Sequence, residues 1–277
     1  GRTEPAALSR VDAALALAHG VETARVRAGL QPHAPYSASP TAYRAALSRR
    51  DRPLASHVAE SPEESRFIAE AKGPQRELLE SLGIWSDDLL AEYAQGRSPV
   101  EHIAPAFRGD LLSGSMSSHA HAPRLLVHLN QLSDRDLQTI AELDVHVAYC
   151  PRASEYFRAQ EHFGPHRYRA LQSLGVNVCL GTDSILNVDR SQADRLTPFD
   201  DAARLLVRDG VAAADLLRMM TIAGARALGV DPRLASLEVQ ATPAGLVTVP
   251  AEAPEPEAML AAALRQGAVP RLVVGPF

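Results

Sequence analysis

Histidine and carboxylate side chains follow several short apolar stretches of this sequence. His57 and Glu60 lie three residues apart at the end of one such stretch, and His128 and Asp183 each follow another. A neutral imidazole binds divalent metal ions, and a nearby carboxylate can ligate the metal or move protons for a water that the metal activates. These residue types therefore indicate metal-assisted hydrolysis as the chemistry to consider.

Each of these residues also has a purely structural interpretation. His57 can be a buried histidine beside Glu60 as a helix-capping acid, and Asp183 can cap the helix that follows it. His128 can stabilise a developing oxyanion or simply donate to a backbone carbonyl. His33, which lies between two prolines, can contact a substrate or shape a rigid loop. Residue type and spacing alone leave both interpretations open.

Two other patterns are weaker candidates for metal sites. His119 and His121 form an HxH pair, but Ser-rich and Pro-containing flanks replace the apolar strand that such a site needs, so we expect a loop there. Cys150 and Cys179 form neither a CxxC site nor a disulfide framework. No GxGxxG or P-loop pattern occurs, which disfavours dinucleotide and nucleoside triphosphate chemistry.

The composition excludes several classes of protein. With 46% hydrophobic and 22% charged residues, the chain of 277 residues is typical of a globular protein. A net charge of −5 argues against a nucleic-acid binder, and no apolar run approaches the length of a membrane span. The two cysteines and the lack of a recognisable signal peptide predict a reducing compartment, the cytoplasm.

Short apolar strands alternate with helices along the chain, which predicts parallel βαβ units. The predicted strands cover residues 24–30, 53–59, 125–129, 145–149 and 176–180. The predicted helices cover residues 9–20, 39–50, a segment starting at Ser61, 134–143 and 166–174, with two or three more across 200–229. Two β-like pieces at 245–249 and 271–274 follow, separated by a Pro-rich linker candidate at 250–256.

The polar candidates recur at the carboxyl ends of these predicted strands. In a (β/α)₈ barrel this edge forms the rim of the active site, because the loops that follow the strands meet there. The repetition over consecutive strands is stronger evidence for a site than any single residue.

Five motifs, in order, resemble the amidohydrolase superfamily of metal-dependent hydrolases. They are PHAPYS at residues 32–37, SHVAES at 56–61, VHLN at 127–130, CPR at 150–152 and LGTDS at 180–184. The similarity is greatest to the branch of triazine chlorohydrolases, guanine deaminase-like enzymes and S-adenosylhomocysteine/methylthioadenosine deaminases. Residues 220–229 and 233–250 resemble the helix after the last barrel strand and the return into a small β-sandwich.

This resemblance implies a distorted (β/α)₈ barrel that holds one divalent metal ion, Zn²⁺ or alternatively Fe²⁺. By motif match, His57 and Asp183 would be metal ligands from the fifth and eighth strands. Asp183 would also accept a proton, Glu60 would carry a proton to a substrate ring nitrogen, and His128 would polarise the attacked centre or steady the hydroxide. His33 would contact the substrate.

Two further residues, Ser184 and Asn187, would line the substrate pocket by a looser match. At two positions the sequence departs from the common family pattern. Tyr149 stands where histidine often precedes Cys-Pro, and Gly245 stands where aspartate is common in the return to the sandwich.

The family's first strand carries an HxH pair that supplies two metal ligands, and no matching strand occurs here. We therefore expect a partial (β/α)₈ TIM-like barrel, strands four to eight, over residues 1–240, and a remnant of the β-sandwich over 241–277. On this count the sequence represents a fragment or one half of a split enzyme. The chain alone should bind zinc weakly and show no deaminase activity.

The predicted function is hydrolysis of a carbon–nitrogen bond, with deamination of an amino-substituted heterocycle or nucleoside as the preferred reaction. Dechlorination or amide hydrolysis on the same scaffold is the alternative, as is a non-catalytic subunit that lacks the HxH motif. We expect a small-molecule substrate, no nucleic acid or membrane partner, and a homo-oligomer at full length.

Overall fold

The computed structural model describes residues 4–23, 26–113, 122–188, 196–239, 241, 243–265 and 270–274. The chain divides into two compact units. The first unit comprises Gly1–Val145 and Ala159–Val176, and the second comprises His146–Arg158 and Asn177–Phe277.

The described residues form an alternation of helices and short strands. In chain order these are α1 Glu4–His19, α2 Pro40–Leu47, β1 Leu54–Val58, α3 Pro62–Glu70, α4 Pro74–Ser81, α5 Pro99–Ser113, β2 Arg124–His128, α6 Asp134–Glu142, β3 His146–Tyr149, α7 Pro151–Tyr156, α8 Ala159–Phe163, α9 Tyr168–Ser173, β4 Asn177–Leu180, α10 Pro198–Asp209, α11 Ala213–Met220, α12 Ile222–Ala227, β5 Leu246–Thr248, α13 Pro256–Arg265 and β6 Arg271–Val274. Short 3₁₀ helices cover Asp87–Ala91, Ile185–Asn187 and Pro232–Ala235. No helix in these described segments is long and apolar enough to cross a membrane.

In the first unit, β1 and β2 form a parallel pair in which Leu54 lies opposite Arg124 and Val58 opposite His128. Both strands alternate between buried and partly buried side chains. Because the pair is parallel, both strands end at the same edge, and this register places His57 and His128 there.

The prediction of a strand over residues 24–30 is wrong for the residues that the structure describes there. Only single β-bridges occur there, between Thr23 and Val26 and between Leu30 and Leu54. The backbone N–H of Ala28 donates instead to the Glu22 carboxylate at 3.1 Å, which removes it from any ladder.

The end of that segment nevertheless runs beside β1. The N–H of Leu30 donates to the Pro53 carbonyl at 2.8 Å, and the N–H of Ala55 donates to the Leu30 carbonyl at 3.0 Å. The bridge between Leu30 and Leu54 is parallel, so this segment has the direction that the sequence predicted.

Serine caps begin the helices that the sequence predicted after β1 and β2. The Ser61 hydroxyl accepts from the Glu64 N–H at the start of α3. Ser133 and Asp136 form a reciprocal capping box at the start of α6. Both starts are therefore confirmed, since each cap satisfies backbone donors that the helix leaves free.

The second unit contains another parallel pair, β3 and β4, with His146 opposite Asn177 and Tyr149 opposite Leu180. A buried ion pair joins α7 to α10, because Arg152 donates through its backbone N–H and its Nε to the Asp201 carboxylate at 3.0 and 2.9 Å. The α/β class predicted from the sequence is confirmed at the level of parallel strands and intervening helices.

The two β-like pieces of the tail are confirmed as the antiparallel pair of β5 and β6. Helix α13 follows the linker candidate and was not predicted. Its Glu257 carboxylate accepts from the backbone N–H groups of Ala213 and Ala214 at 2.6 and 3.2 Å, at the start of α11.

Candidate metal centre

The end of β1 positions His57 and Glu60. After Val58 the chain turns through Ala59, whose φ of 53° lies in the left-handed region. A non-glycine residue in that region costs about 1 to 3 kcal/mol, so surrounding contacts must hold the turn. The N–H of Glu60 donates to the Glu64 carboxylate at 2.8 Å and supplies one such contact.

The end of β2 contains two consecutive left-handed residues, His128 at φ 74° and Leu129 at φ 55°. The Leu129 N–H donates to the Val58 carbonyl at 3.0 Å, which ties the two strand ends together. The His128 carbonyl accepts from Nε2 of His166 at 2.7 Å. Backbone strain of this kind is typical of functional sites, where neighbouring contacts impose it.

These two turns bring three predicted site residues together within the first unit. Nδ1 of His57 lies 2.8 Å from Nε2 of His128, and Oε1 of Glu60 lies 3.4 Å from the same His128 nitrogen. The His128 side chain is 1% exposed, whereas His57 and Glu60 are partly exposed. An imidazole nitrogen and a carboxylate oxygen, each from a partly exposed side chain, thus lie close to Nε2 of the buried His128.

The chemistry of these side chains fits a site for a divalent cation. Imidazole nitrogen suits Zn²⁺ and Fe²⁺ alike, and a carboxylate near such an ion can move protons for the water that the ion activates. The rings of His57 and His128 are oriented so that Nδ1 of His57 and Nε2 of His128 lie within hydrogen-bond distance, 2.8 Å apart.

His33 lies beside this cluster. Its carbonyl accepts from the His57 N–H at 2.9 Å, and its ring lies 5.2 Å from the His57 ring, centre to centre. Nδ1 of His33 lies 3.1 Å from the Ser37 hydroxyl, and the side chain is exposed. The loop between the two prolines therefore presents an exposed imidazole next to the histidine pair.

Sequence reasoning missed Glu64 as part of the site. Its side chain is buried, and its Oε2 accepts a hydrogen bond from the Glu60 N–H at 2.8 Å. Burial raises the pKa of the Glu64 carboxyl to about 8. In the sequence, the spacing of Ser61 and Glu64 indicates only the start of a helix, because it matches a capping box.

In the second unit, Asp183 follows β4 and adopts a left-handed φ of 55°. Its carboxylate accepts a short hydrogen bond from the Asn187 side-chain amide. The Ser184 hydroxyl accepts from the Leu186 N–H at 3.2 Å and caps the 3₁₀ helix Ile185–Asn187. The residue that caps this helix is therefore Ser184, while Asn187 orients the Asp183 carboxylate.

The Cys-Pro turn after β3 has a packing role. Cys150 and Cys179 are both buried free thiols. A Cβ atom added to Gly181 would lie 2.8 Å from Sγ of Cys150, so only glycine fits there, two residues before Asp183. Tyr149 is buried, and its hydroxyl accepts from the Arg208 guanidinium at 2.9 Å. The HxH pair of His119 and His121 lies outside the described residues.

Comparison with known proteins matches residues 2–275 to the model of the amidohydrolase family. A 5-methylthioadenosine/S-adenosylhomocysteine deaminase of Syntrophobacter fumaroxidans is 29% identical over 222 residues, covering 77% of this chain and 42% of the relative. An aminodeoxyfutalosine deaminase of Deinococcus radiodurans is 29% identical over 207 residues, covering 69% of this chain and 45% of the relative.

A crystal structure of an adenosine deaminase from Xanthomonas campestris with bound zinc has a similar fold. It superposes with a TM-score of 0.64 at 21% identity, covering 97% of this chain and 55% of the neighbour. The chain spans less than half the length of the two curated relatives. The match to the family model extends over nearly the whole sequence and confirms the resemblance predicted from the motifs, so this chain belongs to the amidohydrolase family.

Proposed function

We propose that this protein is a metal-dependent hydrolase of carbon–nitrogen bonds that deaminates an amino-substituted heterocycle or nucleoside. The observation that carries the proposal is the convergence of Nδ1 of His57, Nε2 of His128 and Oε1 of Glu60 within 2.8 and 3.4 Å. The names of the two curated relatives, both nucleoside-type deaminases, support the choice of reaction.

We propose His57 and Asp183 as ligands of one divalent metal ion, Zn²⁺ in preference to Fe²⁺. His57 is the fourth residue of strand β1, and Asp183 lies in the loop three residues after strand β4. The hydrogen bond from Asn187 holds the Asp183 carboxylate in one orientation. When bound, such an ion lowers the pKa of a water molecule and so supplies a nucleophile at neutral pH.

The side chains of this chain supply the proton transfers. Glu60 is partly exposed and lies 3.4 Å from Nε2 of His128, so its carboxylate is placed to carry a proton to a substrate ring nitrogen. His128 is almost fully buried, and its ring orients and polarises the attacked centre. Asp183 accepts a proton from the nucleophile, and ammonia or an amine leaves. The exposed imidazole of His33 contacts the substrate.

The finer architecture also belongs to this proposal. We assign the segment ending at Leu30 and strands β1 to β4 to strands four to eight of a (β/α)₈ barrel over residues 1–240. Residues 241–277 form a piece of a β-sandwich. Parallel pairing in both strand pairs, the parallel bridge at Leu30 and the antiparallel pair of β5 and β6 support the assignment.

The test combines metal analysis of the full-length protein with ammonia release from a panel of aminopurines, adenosine derivatives and aminotriazines. We expect about one equivalent of zinc or iron and ammonia release from at least one adenosine derivative. A protein with exposed His162 changed to alanine is the control and should behave as the unmodified protein. Chloride release from a chlorotriazine without ammonia release from any substrate would favour the dechlorinase alternative and overturn the proposal.

A further inference from the structure

The turn that carries Glu60 is held in place by side chains from other parts of the first unit. This turn follows β1, and Ala59 within it adopts a φ of 53°, in the left-handed region that residues other than glycine rarely adopt. Such a conformation persists only where the surrounding contacts impose it. The position of the Glu60 carboxylate beside His128 therefore depends on what holds the backbone of Ala59 and Glu60.

The Glu64 carboxyl holds the N–H of Glu60. Its Oε2 accepts this N–H at 2.8 Å, and the Glu64 side chain is 1% exposed. Glu64 lies in the first turn of α3, where its own N–H donates to the Ser61 hydroxyl at 3.3 Å. Because the capped helix fixes Glu64, the acceptor for the Glu60 N–H has little freedom to move.

The Asn130 side-chain amide holds the carbonyl of the same residue. Nδ2 of Asn130 donates to the Glu60 carbonyl at 3.0 Å, and the Asn130 side chain is 5% exposed. The backbone N–H of Asn130 also donates to the Ala59 carbonyl at 2.9 Å. Asn130 lies two residues after the end of β2, so these contacts join the turns that follow two neighbouring strands. Both backbone polar groups of Glu60 are thus bonded to buried side chains.

A turn that served folding alone would not need these two side chains. Glycine adopts a left-handed φ without strain, and burial of a polar side chain is unfavourable unless hydrogen bonds compensate for it. What the two contacts add is a fixed backbone for Glu60, whose Oε1 lies 3.4 Å from Nε2 of His128. A proton carrier must stay within hydrogen-bond reach of its target, and a displacement of about 1 Å can lower a rate about 10²-fold.

We propose that Glu64 and Asn130 are positioning residues, which hold the backbone of Glu60 so that its carboxylate stays where it transfers the proton. The proposal rests on the proposed function, since it takes Glu60 as the proton carrier of the deamination. Neither side chain needs to touch the substrate in this role. The loss of either hydrogen bond should therefore lower kcat and leave the affinity for the substrate largely unchanged.

Hydrogen exchange of the Glu60 N–H, followed by NMR on the full-length protein, tests the Glu64 contact without turnover. We expect exchange at least about tenfold faster in Glu64→Ala, and less than about threefold faster in Glu64→Gln, whose amide oxygen still accepts. Glu257→Ala is the matched control, because the Glu257 carboxylate also accepts backbone N–H groups, those of Ala213 and Ala214 in the second unit. It should leave this exchange unchanged. Unchanged exchange in Glu64→Ala would overturn the proposal.

Steady-state kinetics of ammonia release by the full-length protein test the catalytic consequence. We expect Glu64→Ala and Asn130→Ala each to lower kcat about tenfold to 10²-fold, with KM changed less than about threefold and the metal content unchanged. Glu64→Gln should keep at least about half of kcat. Asn177→Ala is the matched control for Asn130 and should keep kcat, because the Asn177 amide donates to the Ala223 carbonyl at 3.0 Å in the second unit. An unchanged kcat in both Glu64→Ala and Asn130→Ala, or a change in KM alone, would refute the positioning role.

A double-mutant cycle separates positioning from a general loss of structure. In the Glu60→Gln background no proton-carrying carboxylate remains to be misplaced. Adding Glu64→Ala or Asn130→Ala to it should therefore lower the residual kcat less than about twofold. A loss as large as in the unmodified background would show that the two residues do not act through Glu60, and would overturn the proposal.

The exchange measurement also separates this proposal from the proposed function. Faster exchange of the Glu60 N–H in Glu64→Ala, with no ammonia release from any substrate by the unmodified full-length protein, would reject the proposed function and retain the hold of Glu64 on this backbone. Ammonia release by the unmodified protein, with unchanged exchange and unchanged kcat in the alanine variants, would reject the positioning role alone.

Discussion

The buried polar groups of the two units differ in the partners that they contact. In the first unit, Glu64 and His102 are buried, and burial shifts the pKa of each toward the uncharged form, to about 8 and about 4 respectively. In the second unit, the buried Arg152 contacts the buried Asp201 directly, with Nη2 2.8 Å from the carboxylate, and Asp200 lies 3.6 Å away. Burial also raises the pKa of the Asp201 carboxyl, but the hydrogen bonds and the positive charge of Arg152 oppose that shift.

This difference indicates in which unit the stability should depend on the protonation of a buried group. Near the histidine pair, the Glu64 carboxyl accepts from the Glu60 N–H, and burial raises the pKa of this carboxyl to about 8. Around the Cys-Pro turn, Arg152 is anchored by a carboxylate and by the Thr197 carbonyl at 3.1 Å. The first unit should therefore respond to pH and the second to the loss of a charge partner.

Removing Asp201 tests the fixed charges of the second unit and should have the largest effect on stability. Asp201→Ala leaves the Arg152 guanidinium buried without its main partner, so we expect a loss of about 3 to 5 kcal/mol in the free energy of unfolding. Urea denaturation measures it. Glu155→Ala is the control, because Glu155 forms ion pairs that are much more exposed and its loss should cost under about 1 kcal/mol. Similar losses of unfolding free energy in Asp201→Ala and Glu155→Ala would contradict the expected difference between a buried and an exposed ion pair.

Replacing Glu60 tests the catalytic role of the first unit. Glu60→Gln keeps the shape of the side chain but cannot transfer a proton, so we expect turnover by the full-length protein to fall about 10²-fold to 10⁴-fold with its metal content unchanged. Glu63→Gln, an exposed change three residues away, should retain full activity. Retained turnover in Glu60→Gln would exclude this carboxylate as the proton carrier.

Replacing Glu64 tests the protonated carboxyl. The pKa of the Glu64 carboxyl is raised from 4.5 to about 8. Between these pH values the folded state holds a proton that the unfolded state has lost, so the free energy of unfolding falls as pH rises. Compared with the unmodified protein, Glu64→Gln should therefore gain stability by up to about 1.4 kcal/mol per pH unit between these values. Chemical denaturation at several pH values measures the gain, with Glu63→Gln as the matched control. If the difference in unfolding free energy between Glu64→Gln and the unmodified protein stays constant from pH 4.5 to about 8, the raised pKa of Glu64 is contradicted.

Replacing His102 tests the opposite pH slope in the same unit. Its ring stacks on Tyr93 with centres 5.1 Å apart, and burial lowers its pKa from 6.5 to about 4. The unfolded state therefore binds a proton first, and stability is lost as pH falls from 6.5 to about 4. His102→Leu should lose less stability than the unmodified protein over this window, by a total on the order of 3 kcal/mol. His162→Leu, on the surface, should leave the acid sensitivity unchanged, and an identical acid sensitivity in His102→Leu would refute the prediction.

The smallest predicted effect compares two helix caps. Ser133 and Asp136 cap α6 reciprocally in the first unit, whereas Thr197 caps α10 in the second unit through a single hydrogen bond to the Phe199 N–H. We expect Ser133→Ala and Thr197→Ala each to cost about 0.5 to 2 kcal/mol in unfolding free energy, with the larger loss for Ser133 because its hydroxyl also contacts the Asp136 carboxylate. Thermal denaturation of both variants measures the two losses of stability. A larger loss for Thr197→Ala than for Ser133→Ala would contradict the prediction.

Much of the fold could be predicted because its local signals are strong. Apolar stretches and serine caps located β1 to β4, α3 and α6 to within a few residues. The strand predicted over residues 24–30 does not form in its described part, because the Glu22 carboxylate accepts the Ala28 N–H that a strand would use. Helix α5 carries Pro105 in its interior, which weakens its signal, and α13 follows a Pro-rich stretch that indicated only a linker.

The candidate site was also predictable in part. Parallel strand ends predict that polar residues gather at one edge, and His57, Glu60 and His128 do so in the first unit. Glu64, by contrast, gave only a helix-start signal, and nothing in the residues around Trp85 indicated that its side chain lines a cavity.

The amino-acid sequence by itself determined the family, the order of strands and helices, and the residue types available for chemistry. Periodicity and capping act over a few residues, so these features can be read locally. Only the tertiary structure decided which imidazole nitrogens face each other, that burial raises the pKa of the Glu64 carboxyl, and that Trp85 lines a cavity beside the loop of His33. Each of these depends on burial and on contacts between residues far apart in the chain, because desolvation and pairing are properties of packed groups.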